Sequence, residues 1–429
     1  MWIEDACVLA DGSVLAVGID YSTASAVYAV RKVDTNGDLD TSFGTNGIAA
    51  VFGAPPASDN WAGTVLAGPD GRIFVGGLRT YSTQVTSGKG KKGTTENKDV
   101  STGSIVCLNT DGSIDEEFAD GGYLDIGWGV PGNLAVRGTA SSYDLVMAYG
   151  EKVEVEVAGS GKGKNGGTQT IGTSALAIRV VDGFTGANVN SFGTNGVAVD
   201  DIMETAFDQA LALRIDSLGR IVVLRRVDDT QSSFEDIVVT RHSSTGVLDT
   251  TLGTNGRLAV GYPGGSHYMH HFLAIDGDGQ RILVAYRQPT TGNYFKTVVQ
   301  RYATTGSTVD TTFDVPEIGD SSNPDLGTVY DTWPRDLDVD ADGKVCVTLW
   351  SGLSNFRGTI VRCNANGTRD TGFGPSSDGL TEHVDLGNAD EPKAMVIDAN
   401  GRMVLLMQTA APIPDVQPYW QADLVRFDG

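Results

Sequence analysis

The chain has 429 residues and a formal net charge of −23, with 31 Lys and Arg against 54 Asp and Glu, a balance that argues against a general nucleic-acid surface. An apolar content of 40% with 56 glycines suits many short strands joined by turns and excludes wholesale disorder. No apolar run approaches the ~18 residues of a membrane helix. The amino-terminal stretch MWIEDACVLADGSVLAVG lacks a basic start and is broken by Glu4, Asp5, Asp11 and Gly12, so it does not read as a signal peptide. Cys7, Cys107, Cys346 and Cys363 fall in strand-like runs without CxxC spacing, and read as small buried residues rather than zinc ligands or a disulfide framework.

In chain order, each unit opens with an apolar run, a tight turn of Asp-Gly or Asn-Gly type, and a second apolar run: ACVLADGSVLAVG from Ala6, LALRIDSLGRIVVL from Leu211, FLAIDGDGQRILVAY from Phe272, LDVDADGKVCVTLW from Leu337 and AMVIDANGRMVLLM from Ala394. These are hairpins. Gly12, Gly71, Gly219, Gly279, Gly343 and Gly401 are expected at positive φ, and Asp216, Asp276, Asp340 and Asp398, three residues earlier, suit Asx turns. A variable loop follows, then a third strand such as AVYAVRKV, DIVVTRHS, KTVVQRYA, GTIVRCN or ADLVRFD. Next comes VDTNGDLDTSFGTNG, Val33 to Gly47, with degenerate copies at Asn109–Gly122, Asp182–Gly196, Ser243–Gly256, Ala303–Gly319 and Asn364–Gly379. A fourth apolar run closes the unit, as at Ile48–Phe52, Tyr123–Ile126, Val197–Val199 and Leu258–Val260.

The repeat has a ruler. Phe43, Phe118, Phe192, Leu252, Phe313 and Phe373 are 75, 74, 60, 61 and 60 residues apart. Four antiparallel strands per ~60 residues make one propeller blade. Counting first hairpins gives seven, the third degenerate near Ser142–Asp144, whereas the motif appears six times. The expected fold is all-β, a seven-bladed β-propeller of four-stranded antiparallel blades with one terminal blade three-stranded. It forms a single domain over residues 1–429, with units near 4–59, 60–132, 133–206, 207–268, 269–333, 334–391 and 392–429. Two phasings fit: a short last blade, or fourth runs that begin the next blade and leave the first blade short.

The pattern GxLDxxFGxxG, preceded by an Arg-bearing strand and an AxxxDGxxxxxG hairpin, resembles the delta-60 repeat, a β-propeller domain of unknown function found in bacterial surface and secreted proteins. Departures are Asn190 for Asp, Leu252 for Phe and Asp314 for Gly. The resemblance implies a fold and brings no catalytic residues with it.

The motif also has a physical reading. Arg241, Arg301 and Arg362 lie eight or nine residues before Asp249, Asp310 and Asp370, and Lys32 precedes Asp40 in the same way, so a third-strand cation is placed to clamp the aspartate of the following turn. Cys107 replaces that cation in the second unit. Calcium on Asp34, Asn36, Asp38 and Asp40 is the weaker reading, because the glycine falls at the fourth position of that loop and other copies lack the first and third acids. No cofactor is expected.

Two places carry functional expectations. The long spacings come from SGKGKKGTTENKD at Ser87 and SGKGKNGGT at Ser160, which hold Lys89, Lys91, Lys92, Lys98, Lys162 and Lys164, six of the chain's eleven lysines. As basic fingers on neighbouring blades of an acidic ring they would meet an anionic polymer or an acidic subunit, another copy included. The GKGKKG run lacks P-loop spacing. At the strands that enter the channel, His267, His270 and His271 lie together, with Glu4, Asp208, Arg335, Asp336 and Lys393 in matching units and Trp2, Trp61, Tyr268, Tyr330 and Trp333 nearby. Trp61, His270, His271, Trp333, Arg335 and Asp336 are the expected ligand-binding set, suited to a sugar or peptide. Neighbouring strand residues face opposite ways, so His270 and His271 do not easily share a metal.

Nucleophile elbows, zincin motifs, dinucleotide and kinase fingerprints and sialidase-type Asp boxes do not occur. The expected role is therefore a non-enzymatic recognition or structural propeller on a cell surface or in a larger assembly such as a virion, with protein subunits or a surface glycan as partner. The alternative is a polysaccharide hydrolase or lyase with its acids at the channel mouth.

Overall fold

A computed structural model describes residues 1–21, 27–52, 61–87, 94–127, 129–158, 168–200, 206–229, 235–260, 271–276, 281–290, 295–303, 308–313, 315, 318, 331–351, 357–374, 379, 390–398, 401–410 and 420–427. Every strand or helix among them is a β-strand. The strands form seven blades. Blade 1 is β1 (Trp2–Val8), β2 (Val14–Asp20), β3 (Val27–Val33) and β4 (Ile48–Phe52); blade 2 is β5 (Trp61–Ala67), β6 (Ile73–Ser87), β7 (Thr94–Leu108) and β8 (Tyr123–Gly127). Blade 3 is β9 (Asn133–Thr139), β10 (Ser142–Ala158), β11 (Thr168–Asp182) and β12 (Val197–Asp200); blade 4 is β13 (Ala206–Ile215), β14 (Ile221–Asp229), β15 (Glu235–His242) and β16 (Arg257–Ala259). Blade 5 has β17 (His271–Ile275), β18 (Ile282–Pro289) and β19 (Phe295–Tyr302), blade 6 has β20 (Thr332–Val339), β21 (Val345–Ser351) and β22 (Arg357–Cys363), and blade 7 has β23 (Glu391–Ile397), β24 (Met403–Ala410) and β25 (Trp420–Phe427).

The phasing question is answered by pairing. β4 and β8 bond to β3 and β7, the third strands of their own blades, so the fourth run is an outer strand and the last blade is the three-stranded one. Blades 5 and 6 begin the same outer pairing, since the Thr297 amide donates to Ile318 O at 2.9 Å and the Arg362 amide to Gly379 O at 2.9 Å. The inner strands of all seven blades line one central channel, and β1 packs against both β5 and β23, so the ring closes.

The motif builds the corner between third and outer strands. Asp40, Asp115, Asp249, Asp310 and Asp370 each donate their amide to the carbonyl of residue 32, 107, 241, 301 or 362, and the aromatic or leucine three residues on donates back to the aspartate carbonyl. That tight return swings the ring inward. Phe43, Phe118 and Phe192 are buried between blades 1 and 2, 2 and 3, and 3 and 4; Leu252, Phe313 and Phe373 do the same at the next three interfaces. Burying one such ring contributes roughly 2–3 kcal/mol.

The expected clamps form. Arg241 Nη2 lies 2.7 Å from Asp249 Oδ2, Arg301 Nη2 3.0 Å from Asp310, Arg362 Nε 2.8 Å from Asp370 and Lys32 Nζ 3.4 Å from Asp40. Where Cys107 replaces the cation, Arg72 from the preceding hairpin supplies it, its Nη1 3.1 Å from Asp115. Asp34 turns its Oδ1 inward to accept the amides of Asn36 and Asp38, an Asx turn. Asp216, Asp340 and Asp398 do likewise, and Gly12, Gly71, Gly219, Gly343 and Gly401 take φ between 72° and 90°; Gly279 lies outside the described residues. The degenerate third hairpin turns between Thr139 and Ser142, just ahead of the expected place. All four cysteines are free, three of them buried.

Candidate functional site at the channel mouth

The channel encloses about 720 Å³. What points into it is set by a repeated β-bulge. Pairing with the second strand jumps from Ile3 to Asp5, Ala62 to Thr64, Ala210 to Ala212, Pro334 to Asp336 and Pro392 to Ala394, leaving Glu4, Gly63, Leu211, Arg335 and Lys393 unpaired. An extra residue on one strand re-aims its side chain. All five line the channel.

Around the mouth, four consecutive blades carry a continuous belt of cations, carboxylates and rings. Lys393 Nζ lies 4.7 Å from the Trp2 ring centre and 2.9 Å from Glu391 Oε2, whose Oε1 is 2.7 Å from Arg335 Nη2. The Arg335 guanidinium stands 4.9 Å from the Trp350 ring, and Trp350 meets Trp333 at 6.3 Å between ring centres. Arg287 is pressed between Trp333 at 3.2 Å and Phe295 at 3.5 Å while its Nη2 donates to both oxygens of Asp331 at 3.1 and 3.2 Å. Asp331 also accepts from the Trp333 indole at 3.3 Å. Guanidinium faces stacked on indoles lose little hydration and keep their edges for hydrogen bonds. Glu4, beside this belt, has its carboxyl raised above the usual range by burial, with Lys393 opposing.

Deeper acids do another job. Asp5 accepts from Val65 N and Thr64 Oγ1 of blade 2, both at 3.0 Å, and Asp336 accepts from Met395 N of blade 7 at 2.9 Å. They clip neighbouring inner strands together. Burial pushes Asp336 up to about 7 and raises Asp5 and Asp338 as well, while the charge of Arg214, which also lines the channel, opposes all three.

Among the expected binding residues, Trp333 and Arg335 come together in the belt, and Asp336 lies behind the bulge as an interblade clip. His271 opens β17 and stacks on Tyr286, ring centres 6.0 Å apart. The Trp61 side chain, His267, Tyr268, His270 and Tyr330 lie outside the described residues. Asp208 does not match Glu4 in register; it sits three residues before Leu211 and turns back to blade 3, accepting from Leu176 N at 3.2 Å beside the buried Arg225. Of the finger lysines, Lys98 is exposed on β7 opposite Thr83, and Lys89, Lys91, Lys92, Lys162 and Lys164 lie outside the described residues. The hairpins leading to them are long ribbons, 15 residues in each of β6 and β7 and 17 and 15 in β10 and β11. Among the described residues no group of three or more His, Cys, Asp or Glu is placed to hold a metal ion.

Sequence reasoning missed Arg287, Asp331, Trp350 and Glu391. A signal for the bulge was present: Glu4, Gly63, Leu211, Arg335 and Lys393 each stand eight residues before the turn glycine, Gly12, Gly71, Gly219, Gly343 or Gly401.

A family profile described as "Domain of unknown function (DUF5122) beta-propeller" matches residues 9–43 and 93–118, which include parts of the first two motif copies. A search of curated proteins finds no match. Among solved structures, the chain is similar to the β-propeller domain of the Trilobed protease from Pyrococcus furiosus, at 13% identity and a TM-score of 0.45 over 100% of this chain and 95% of that one. It is also similar to an unknown function protein from Dyadobacter fermentans (12% identity, TM-score 0.40, 83% and 92% covered). A PL25 ulvan lyase aligns at 14% identity, a TM-score of 0.40 and 86% and 85% coverage.

Proposed function

We propose that this β-propeller is a non-catalytic recognition module whose ligand docks on the mouth belt formed by Trp2, Lys393, Glu391, Arg335, Trp350, Trp333 and Arg287. The observation that carries this reading is the division of labour among the charges. Asp5 and Asp336 each use Oδ2 on a backbone amide of the next blade and Oδ1 on the following amide of their own strand, whereas the belt offers part-exposed indoles with fixed cations and carboxylates beside them. Flat apolar faces flanked by oriented donors and acceptors suit a glycan. The setting that fits is a cell surface or a larger assembly such as a virion.

A glycan array followed by titration tests it: saturable binding without product release is expected, and Trp333→Ala should weaken it by about tenfold or more. The second reading, a polysaccharide hydrolase or lyase, draws on the raised carboxyls of Asp336 and Glu4. Product release from any array hit, lost on replacing Asp336 or Glu4, would establish that reading instead.

A further inference from the structure

The charged residues that line the channel stand in tiers along the inner strands. Glu4, Arg335 and Lys393 stand at the mouth, eight residues before their turn glycines, and Asp5 and Asp336 follow at seven. Arg214 and Asp338 both stand five residues before theirs, Gly219 and Gly343, and so share a level. At ~3.3 Å per residue that level is roughly 7–10 Å further down the channel than the bulge. Blades 1, 2 and 7 present Cys7, Leu66 and Val396 there, so the deeper tier holds one cation and one acid among uncharged side chains.

The upper charges are engaged. Arg335 and Lys393 share Glu391, Glu4 lies beside Lys393, and Asp5 and Asp336 hold backbone amides with both oxygens. The lower pair is not. Half-buried Arg214 makes one hydrogen bond, from Nη1 to Leu213 O at 3.0 Å, and among the described residues no carboxylate oxygen comes within ion-pair distance of it. Half-buried Asp338 accepts the Val339 amide on Oδ1 at 2.8 Å, and its Oδ2 has no hydrogen-bond partner among the described residues. Yet the charge of Arg214, reaching from blade 4, bears on Asp5 of blade 1 and on Asp336 and Asp338 of blade 6. A donor and an acceptor thus open on one cavity across a gap too wide for a direct ion pair.

We infer that this deeper tier is a subsite for the terminal sugar of a neutral glycan, held by two neighbouring ring hydroxyls that bridge the gap between Arg214 and Asp338. One hydroxyl accepts from the guanidinium and the other donates to Asp338 Oδ2, and hydrogen bonds to charged groups are the stronger kind. An anionic group would satisfy Arg214 while facing Asp338, and a cationic group would do the reverse; a neutral diol serves both at once. Leu66 and Val396 give the carbon face of the sugar ring an apolar wall. Because the blades enclose the channel on all sides, a chain reaches this tier by its end and not from the side. The inference rests on the reading of the mouth belt as a glycan site, which would hold the sugars that precede the terminal one.

The probes are the methyl glycosides of glucose, galactose and mannose, titrated into the full chain by calorimetry. Saturable binding of at least one is expected, weakened about tenfold or more by Arg214→Gln and by Asp338→Ala. Near-ultraviolet circular dichroism and Tm of both variants are compared with the parent. Independently of folding, the unaltered protein should lose a similar factor toward the deoxy form of the bound sugar that lacks one of the two hydroxyls. No saturation with any of the three, as when water alone fills the gap, would overturn the inference. So would equal affinity in Arg214→Gln, or tighter binding of methyl glucuronide than of methyl glucoside, since the guanidinium would then be taking an anion. The two readings fail separately. Array hits that are lost on Trp333→Ala and unmoved by Arg214→Gln would leave the mouth belt standing and remove the deeper subsite, whereas an array without hits would remove the belt.

Discussion

The interface between blades 6 and 7 and the one between blades 7 and 1 use the same strand geometry and differ in what fastens it. At the first, Phe373 is wedged into the core, Arg362 and Lys344 converge on Asp370 at 2.8 and 2.9 Å, and Asp336 reaches across to Met395 N. At the second, Ala394 stands where Asp336 stands in the bulge, no motif ring enters among the described residues, and Arg426 holds Thr35 O while its Nε stays unbonded. Among the described residues, this joint shows aliphatic packing, the Trp2–Lys393 contact, the attraction between Glu4 and Lys393, and the Arg426 guanidinium on Thr35. A ring of repeats therefore has a seam set by which fasteners are missing, and blade order alone does not reveal how firmly each joint is made.

This contrast can be broken from its strong side. Removing a wedge should cost most: Phe118, fully buried with Phe74 and Leu145, is expected to lose roughly 3–5 kcal/mol on Phe118→Ala, read from urea midpoints. The clamps come next. Arg362→Ala leaves Asp370 with Lys344 as its remaining side-chain cation and should cost about 1.5–3 kcal/mol, while Arg426→Ala, which gives up a single charged bond to a carbonyl, should cost about 1 kcal/mol. Similar losses for the two arginines would show that the seam is fastened as firmly as its neighbour.

The clip shows itself differently, as a slope with pH. Asp336 titrates at about 7 in the folded chain against 3.8 when unfolded, because burial disfavours its charge. The folded protein therefore keeps a proton that the unfolded chain has released. Its stabilising contribution is complete below about pH 4 and is lost as pH rises toward 7. Asp336→Asn should flatten that fall, so the difference in urea midpoint between about pH 4.5 and pH 7.5 is smaller than in the parent. An unchanged difference would show that burial does not hold the Asp336 carboxyl above the ordinary carboxylate range.

Much of this was legible in the sequence because it is local and repeated. The Asp-Gly turns, the aromatic ruler and the Arg-to-Asp spacing each depend on residues within one or two strands, and each recurs often enough to read through erosion at Leu252 or Cys107. The mouth was legible only in part. Trp333, Arg335 and Lys393 stood out as charges and rings at strand starts, but Arg287, Asp331, Trp350 and Glu391 join them only across blades.

By itself, then, the sequence determined the unit: four strand runs, the turn that links each pair, the corner that turns a phenylalanine inward and the cation that holds it. Periodicity and turn chemistry act over a few residues, so one strand of text suffices to express them. The tertiary structure decided which acids become clips between blades and where the seam falls. Those depend on residues ~60 or more positions apart meeting across a closed ring, a condition that the spacing of strands does not encode.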